Sequence, residues 1–219
     1  PLQAPRGLES AVLVPSPDNA LTAAKFELGK QLFFDPRLSG SGTMSCSSCH
    51  LPEKAFTDGN PVSKKDDGKD NIRNSPTMHN VGYYERLYWD GRAKGLEANV
   101  GAAWKAQLAG NPAETVKRLS AVPAYTKAFQ DAFGGPASED TIVKAVASFL
   151  RALRSGDSAY DRAQAGQKDA LDEKAQKGMA LFNGKAGCVV CHTPPLFTDR
   201  LFHNTGIGMQ AEKPDVGAA

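Results

Sequence analysis

Every cysteine in this chain falls in one of two like motifs, Cys46-Ser47-Ser48-Cys49-His50 and Cys188-Val189-Val190-Cys191-His192. No other feature constrains the chain as much. Two thiols two residues apart can reach the two vinyl groups on one porphyrin edge, and the adjacent imidazole then lies beneath the iron as its proximal ligand. Competing chemistries fit less well. A thioredoxin-like pair opens a helix after a strand, whereas the flanks Gly42-Thr43-Met44-Ser45 and Asn183-Gly184-Lys185-Ala186-Gly187 are not strands. A single zinc site would have to join pairs about 140 residues apart and ignore the histidine that follows each. The cysteines therefore point to two covalently attached haem c groups, one on Cys46, Cys49 and His50 and one on Cys188, Cys191 and His192.

Haem c attachment belongs to the bacterial periplasm or an equivalent oxidising space, so a periplasmic location is expected. The N-terminal Pro1-Leu2-Gln3-Ala4 lacks a Met and a signal peptide, and reads as a mature, processed chain. The 26 basic residues nearly balance 24 acidic ones, a pattern that does not favour a nucleic-acid partner. No apolar run approaches the roughly 18 residues of a spanning helix.

The hydrophobic pattern predicts a mostly α-helical fold with little strand: two cytochrome c-like haem domains, divided into 1–165 and 166–219. Leu21, Phe26, Leu28, Leu32 and Phe33 predict a helix over 21–34, ended by Asp35-Pro36. Residues 59–77 read as an extended loop. Asn111-Pro112-Ala113-Glu114 reads as a helix start, with a second helix after Pro123. Ser138-Glu139-Asp140-Thr141 opens a helix whose stripe is Ile142, Val143, Val146, Phe149, Leu150 and Leu153. Residues 161–170 read as a connector, and 171–182 as the helix leading to the second motif. An internal echo accompanies the motifs. Leu28-Gly29-Lys30-Gln31-Leu32-Phe33 precedes Cys46, and Lys177-Gly178-Met179-Ala180-Leu181-Phe182 precedes Cys188. Phe56-Thr57-Asp58 follows the first motif and Phe197-Thr198-Asp199 the second.

From about residue 21 onward the chain resembles the bacterial dihaem cytochrome c peroxidases and the related MauG-type enzymes. Four stretches carry the resemblance: Leu28 to Ser39, Arg73-Asn74-Ser75-Pro76-Thr77, Tyr88-Trp89-Asp90-Gly91-Arg92 and Phe202-His203-Asn204-Thr205-Gly206. It implies that the Cys46/Cys49 haem is the peroxidatic centre, fed with electrons by the Cys188/Cys191 haem, and that Trp89 relays electrons between them. It implies hydrogen peroxide as substrate and a small cytochrome or copper protein as electron donor. It also implies a homodimer, and a calcium ion with Asn74 as its side-chain ligand, a hard oxygen donor suited to that cation.

The chain departs from the family pattern in three places. The family's distal Glu, which moves a proton during O–O cleavage, stands in an N-P-x-E-M sequence downstream of the Trp. Here that window places Gln107, which cannot act as a base, with Glu114 as the displaced alternative; Asn99 stands ten residues past Trp89, where the family carries Gln. The family's removable distal His has no counterpart between Leu51 and Met78, so His79 is the nearby candidate ligand, with a hydrogen-bonded structural role as the other reading. Finally, Asp215-Val216-Gly217 reads as mid-domain text, so the second domain is expected to be truncated after Ala219. In a complete chain, Met209 is the first candidate for the sixth ligand of the second haem and His203 the second. Peroxide reduction is the leading expectation from the resemblance, and the missing Glu and removable His count against it. A non-catalytic dihaem electron carrier and a MauG-like oxidase of a protein side chain are the alternatives.

Overall fold

A computed structural model describes residues 3–218; Pro1, Leu2 and Ala219, with the readings that fall on them, lie outside the described residues. Seven α-helices make up the regular structure among those residues, and the paired strands are only two residues long. The mostly helical expectation holds. Contacts divide the chain into two compact units, Val14–Leu153 and a smaller one that joins the chain up to Leu13 to Arg154–Val216.

In the larger unit α1 (Ala23–Phe34) starts where Thr22 leaves helical geometry and its Oγ1 accepts the Lys25 N–H at 3.2 Å. It stops at Asp35 because the following proline disfavours the helical region there. Later in the chain, α5 (Glu139–Ala152) begins at a capping box in which Ser138 and Thr141 satisfy each other's backbone N–H. The two helices pack closely because Gly29 has no side chain: a Cβ there would lie 1.9 Å from the Ala145 carbonyl oxygen. Leu28, Leu32 and Phe33 meet the stripe of α5 in one core with Ile142, Val146 and Phe149. Burying each such side chain contributes roughly 1.5–3 kcal/mol.

The other helices of this unit are α2 (Leu96–Ala106), α3 (Pro112–Ser120) and α4 (Pro123–Phe133). Asn111 caps α3 by accepting the Glu114 N–H at 3.2 Å. Val122-Pro123 then enforces a break, and α4 ends on Gly134 at a φ of 72°. A short hairpin pairs β1 (Arg86–Leu87) with β2 (Ala93–Lys94), Arg86 opposite Lys94. It presents Tyr88 to Arg92 in its turn. Residues 59–77 are irregular yet tied down, with Ser63 and Ser75 hydroxyls 2.6 Å apart in a buried contact.

The smaller unit contains α6 (Ala159–Gln164) and α7 (Glu173–Asn183). The expected connector over 161–170 is therefore partly helix. Ser158 and Asp161 form a capping box that starts it. The N-terminal segment belongs here because Arg6 O accepts the Asp157 N–H at 2.9 Å, and Gly7 leaves room for Asp161, whose Oδ1 would lie 2.1 Å from a Cβ. The compact units thus meet in sequence at 153/154, where the sequence suggested 165/166. α7 is capped by Asp172, yet none of its residues is buried, and Leu181 is 54% exposed.

Candidate functional site

Each C-x-x-C-H motif folds as the same tight turn. Cys46–Ser48 and Cys188–Val190 are single 3-10 turns. His50 N–H donates back to Cys46 O at 3.1 Å, and His192 N–H to Cys188 O at 2.9 Å. The turn gathers two thiols and an imidazole within one stretch of backbone, as shared attachment to a ring requires.

The echo downstream of each motif has a structural purpose. His50 Nδ1 lies 2.9 Å from Phe56 O, and His192 Nδ1 lies 3.1 Å from Phe197 O. A carbonyl only accepts, so Nδ1 carries the proton and Nε2 is left as the nitrogen able to bind a metal. The two phenylalanines have φ of 59° and 54°, and that left-handed backbone turns their carbonyls inward. Their rings are held by the phenylalanine of the preceding helix: Phe33 lies 6.0 Å from Phe56, and Phe182 lies 5.8 Å from Phe197.

Cys46, Cys49 and His50 line a cavity of about 330 Å³ in the larger unit. Much of one wall is a single face of α2 and its C-cap: Leu96, Asn99, Val100, Ala103 and Trp104, then Gln107. Their spacing of three and four residues is that of one helical stripe. Among the described residues that line the cavity none is Asp or Glu, whereas Lys65, Arg73 and Arg92 are present. Asp90 bridges two of these cations, 2.5 Å from Arg73 Nη1 and 2.7 Å from Arg92 Nη1. Burial alone would raise the Asp90 carboxyl, but the two guanidinium groups hold it below its ordinary value. Arg92 also stacks 3.6 Å over the Tyr88 ring. Burial pushes the Cys46 thiol up to about 12 and raises Cys49 as well. Burial lowers His50, against opposing carbonyl hydrogen bonds, and so favours the neutral imidazole, the form that binds metals.

The candidate residues separate into those at this cavity and those away from it. Gln107 and Asn99 line it, and Gln107 Oε1 is buried without a partner among the described residues. Trp89 and Asn74 also line it; Trp89 is 56% exposed and its Nε1–H donates to Asn74 O at 2.9 Å. Asn74 donates its amide N–H to Asn60 O at 2.6 Å. Glu114 is exposed in the first turn of α3 and is not part of the cavity wall. His79 is likewise outside that wall. Its ring packs edge-on against Phe56 at 5.3 Å. In the smaller unit Met209 is 47% exposed in a turn. His203 Nε2–H donates to Asp199 Oδ2 at 2.7 Å, and these two groups with the Cys191 thiol lie within 4.8 Å of one another. Sequence reasoning did not single out Trp104, the Asp90 clamp or the two phenylalanine carbonyls. The Phe-Thr-Asp echo was the available signal for the last of these.

Comparison with known proteins agrees with this geometry. Residues 23–169 match the model of the family described as di-haem cytochrome c peroxidase. The chain is 44% identical to the cytochrome-c peroxidase IdrP1 of Pseudomonas sp. (strain SCT), over 89% of this chain and 53% of that protein. It is 40% identical to the methylamine utilization protein MauG of Methylophilus methylotrophus, over 89% of this chain and 60% of that one. A solved MauG-like protein associated with microbial copper homeostasis superposes with a TM-score of 0.80 at 37% identity, over 92% of this chain and 59% of the other. The chain thus spans little more than half the length of these relatives, and within that span it belongs to the di-haem cytochrome c peroxidase family.

Proposed function

We propose that the chain is the haem-bearing part of a periplasmic oxidoreductase that reduces hydrogen peroxide at the Cys46/Cys49 site, with electrons arriving through the Cys188/Cys191 site from a small donor protein. The family's two c-type haems fit the residues present. In the larger unit two thiols and an imidazole stand in the wall of a mainly apolar cavity, and Lys65 together with the Arg73–Asp90–Arg92 cluster leaves a net positive charge there that suits the propionates of a porphyrin. Cys46 and Cys49 would hold the ring by thioethers and His50 the iron, as would Cys188, Cys191 and His192 at the second site. A haem at the first site supplies the iron on which peroxide binds and takes up electrons.

The observation that carries the reading is the cavity that gathers Cys46, Cys49 and His50 with an unpartnered Gln107 amide oxygen in its wall. A buried amide oxygen without a partner is costly, by about 1–3 kcal/mol, and a ligand with an O–H, such as peroxide, would satisfy it. The Gln107 amide can orient peroxide by donating and accepting hydrogen bonds, but it cannot take and return a proton. Turnover would therefore lack the contribution of general acid–base catalysis, about 10²–10⁴-fold. Trp89, at the cavity wall and partly exposed, would carry electrons toward this haem. Asn99 would share the α2 face with Gln107 and help position the ligand. Asn74 is the proposed calcium ligand, and Met209 or His203 the proposed sixth ligand of the second haem.

The test is Gln107→Glu. Peroxide consumption with a reduced small cytochrome as donor should rise at least about tenfold, since a carboxylate restores the missing proton carrier. Unchanged or slower turnover in a variant with an intact haem spectrum refutes this role for position 107. The acid-free wall also favours a second reading, in which oxidising equivalents are retained and passed to a protein side chain instead of being quenched. A stable oxidised species after peroxide, without turnover, marks that case. Two low-spin irons in every state, unresponsive to peroxide, mark a non-catalytic carrier.

A further inference from the structure

The cavity wall contains a second tryptophan that peroxide reduction through Trp89 leaves unused. Trp104 is 3% exposed, and its Nε1–H donates to the Leu38 carbonyl at 2.7 Å. The fold makes room for it: a Cβ on Gly110 would lie 2.1 Å from Nε1. A tight turn links Leu38 to Asp35, with Leu38 N–H on Asp35 O at 3.3 Å. Asp35 Oδ2 accepts the Tyr125 phenol at 2.5 Å and the Arg37 Nη1–H at 2.8 Å, and Oδ1 accepts the Arg37 backbone N–H at 2.8 Å. Tyr125 in turn borders a surface groove with Gln31, Phe34 and Arg37. An indole at the cavity and a buried phenol that borders a surface groove are thus joined by hydrogen bonds and one short turn, all within the larger unit.

We propose that Trp104 is a second redox-active indole at the Cys46/Cys49 site, with the Tyr125–Asp35 pair as its electron source. The proposal rests on the peroxide reading above. Peroxide needs two electrons and two protons to become two waters. When the Trp89 side delivers only one electron, Trp104 gives the other and becomes a cation radical. It keeps its N–H, because the Leu38 carbonyl is too weak a base to take the proton. Tyr125 then gives an electron to Trp104 and its phenolic proton to Asp35 Oδ2. The indole is restored and a neutral tyrosyl radical stands beside the groove, where a one-electron reductant from solvent can quench it. Indole and phenol are the most readily oxidised aromatic side chains, and the phenol stands on a carboxylate that can take its proton. Trp104 is thereby a route that draws excess oxidising power away from the haem.

The test uses the oxidised dihaem chain, mixed with one equivalent of hydrogen peroxide without a donor protein. Electron paramagnetic resonance with ring-deuterated tryptophan or tyrosine identifies the radical, and peptide mass spectrometry locates oxygen added to side chains. The wild type should show a radical whose hyperfine pattern narrows with each label, and oxidation at Trp104 and Tyr125. Tyr125→Phe should lengthen the life of the tryptophan signal several-fold, and Trp104→Phe should abolish the tyrosyl signal. A haem spectrum that responds to peroxide while Trp104 and Tyr125 remain unmodified and unlabelled in the radical overturns this proposal alone. A haem that does not respond at all overturns the peroxide reading and this proposal with it. The labelled wild type decides the question even if Trp104→Phe does not fold.

Discussion

The internal echo places glycine at matching positions in two helices, and the structure predicts opposite responses to the same substitution. In α1, a Cβ on Gly29 would meet the Ala145 carbonyl at 1.9 Å and Phe149 Cβ at 3.0 Å. A backbone carbonyl cannot swing aside, so α1 and α5 must separate. Overpacking of this kind costs up to about 3 kcal/mol, against a gain of about 1 kcal/mol for replacing glycine by alanine inside a helix. The net loss for Gly29→Ala is about 2 kcal/mol, or roughly 30-fold in the opening equilibrium at 1.4 kcal/mol per decade. In α7, nothing lies within 4 Å of the Cβ position at Gly178. There only the helix preference acts, so Gly178→Ala should stabilise by about 1 kcal/mol, or roughly fivefold. Native-state amide hydrogen exchange on the dihaem 219-residue chain reads each helix separately. Protection of α1 should fall about 30-fold in the first variant, and protection of α7 should rise about fivefold in the second. Equal protection of α1 in wild type and Gly29→Ala, or loss of protection in Gly178→Ala, would refute the packing argument.

Two further predictions concern charge and electron flow. Glu97 accepts hydrogen bonds from Asn19 at 2.9 Å and from the buried Arg151 at 2.8 Å. Burial alone would raise its carboxyl, but these donors hold it below its ordinary value of 4.5. A carboxyl depressed in the folded state stabilises fully above its unfolded value, and that contribution fades as pH falls through the folded one. Glu97→Ala should therefore cost about 3 kcal/mol at neutral pH, because it strands Arg151, and the gap to wild type in urea denaturation should close below pH 4.5; a gap that is the same at pH 3 and pH 7 would contradict the assignment. Trp89→Phe should slow electron transfer between the haems in stopped-flow absorption while leaving both haem spectra unchanged, and unaltered rates would remove Trp89 from the path.

The parts of the fold that were legible in the sequence are those fixed by local chemistry. Asn111 and Ser138 mark helix starts because a side-chain oxygen there satisfies a free backbone N–H. Pro36 and Pro123 mark breaks for an equally local reason. α2 carried no such mark. It begins at Gly95, which offers no side-chain cap, and its alanine-rich stretch shows a weak apolar stripe. α6 was hidden in the same way by its polar composition, although Ser158 and Asp161 spell a capping box. The grouping of the N-terminal segment with residues after 154 depends on contacts such as Arg6 with Asp157, which no local pattern encodes.

Missing α2 had a direct consequence for the site, because the residue opposite the missing acid depends on helix phase. Read as text, both Gln107 and Glu114 were open, and Asn111-Pro112-Ala113-Glu114 matched the family wording more closely. Helical geometry separates them. Residues 96, 99, 100, 103 and 104 share one stripe of α2 that Gln107 continues at its C-cap, and all six line the cavity. After Gln107 the chain leaves the helix, and Ala109 takes a φ of 49°. Asn111 then caps a new helix whose third residue, Glu114, faces solvent. The carboxylate is thus spent at the positive end of α3, where it is worth a few tenths of a kcal/mol to the helix, and it is not available to the cavity. An insertion that shifted the α2–α3 turn by one residue would leave this wording intact and still not bring Glu114 inward, because the cap and the proline fix where α3 begins. Position 107 lines the cavity and position 114 does not, which is why the substitution at 107, and not one at 114, is the informative experiment.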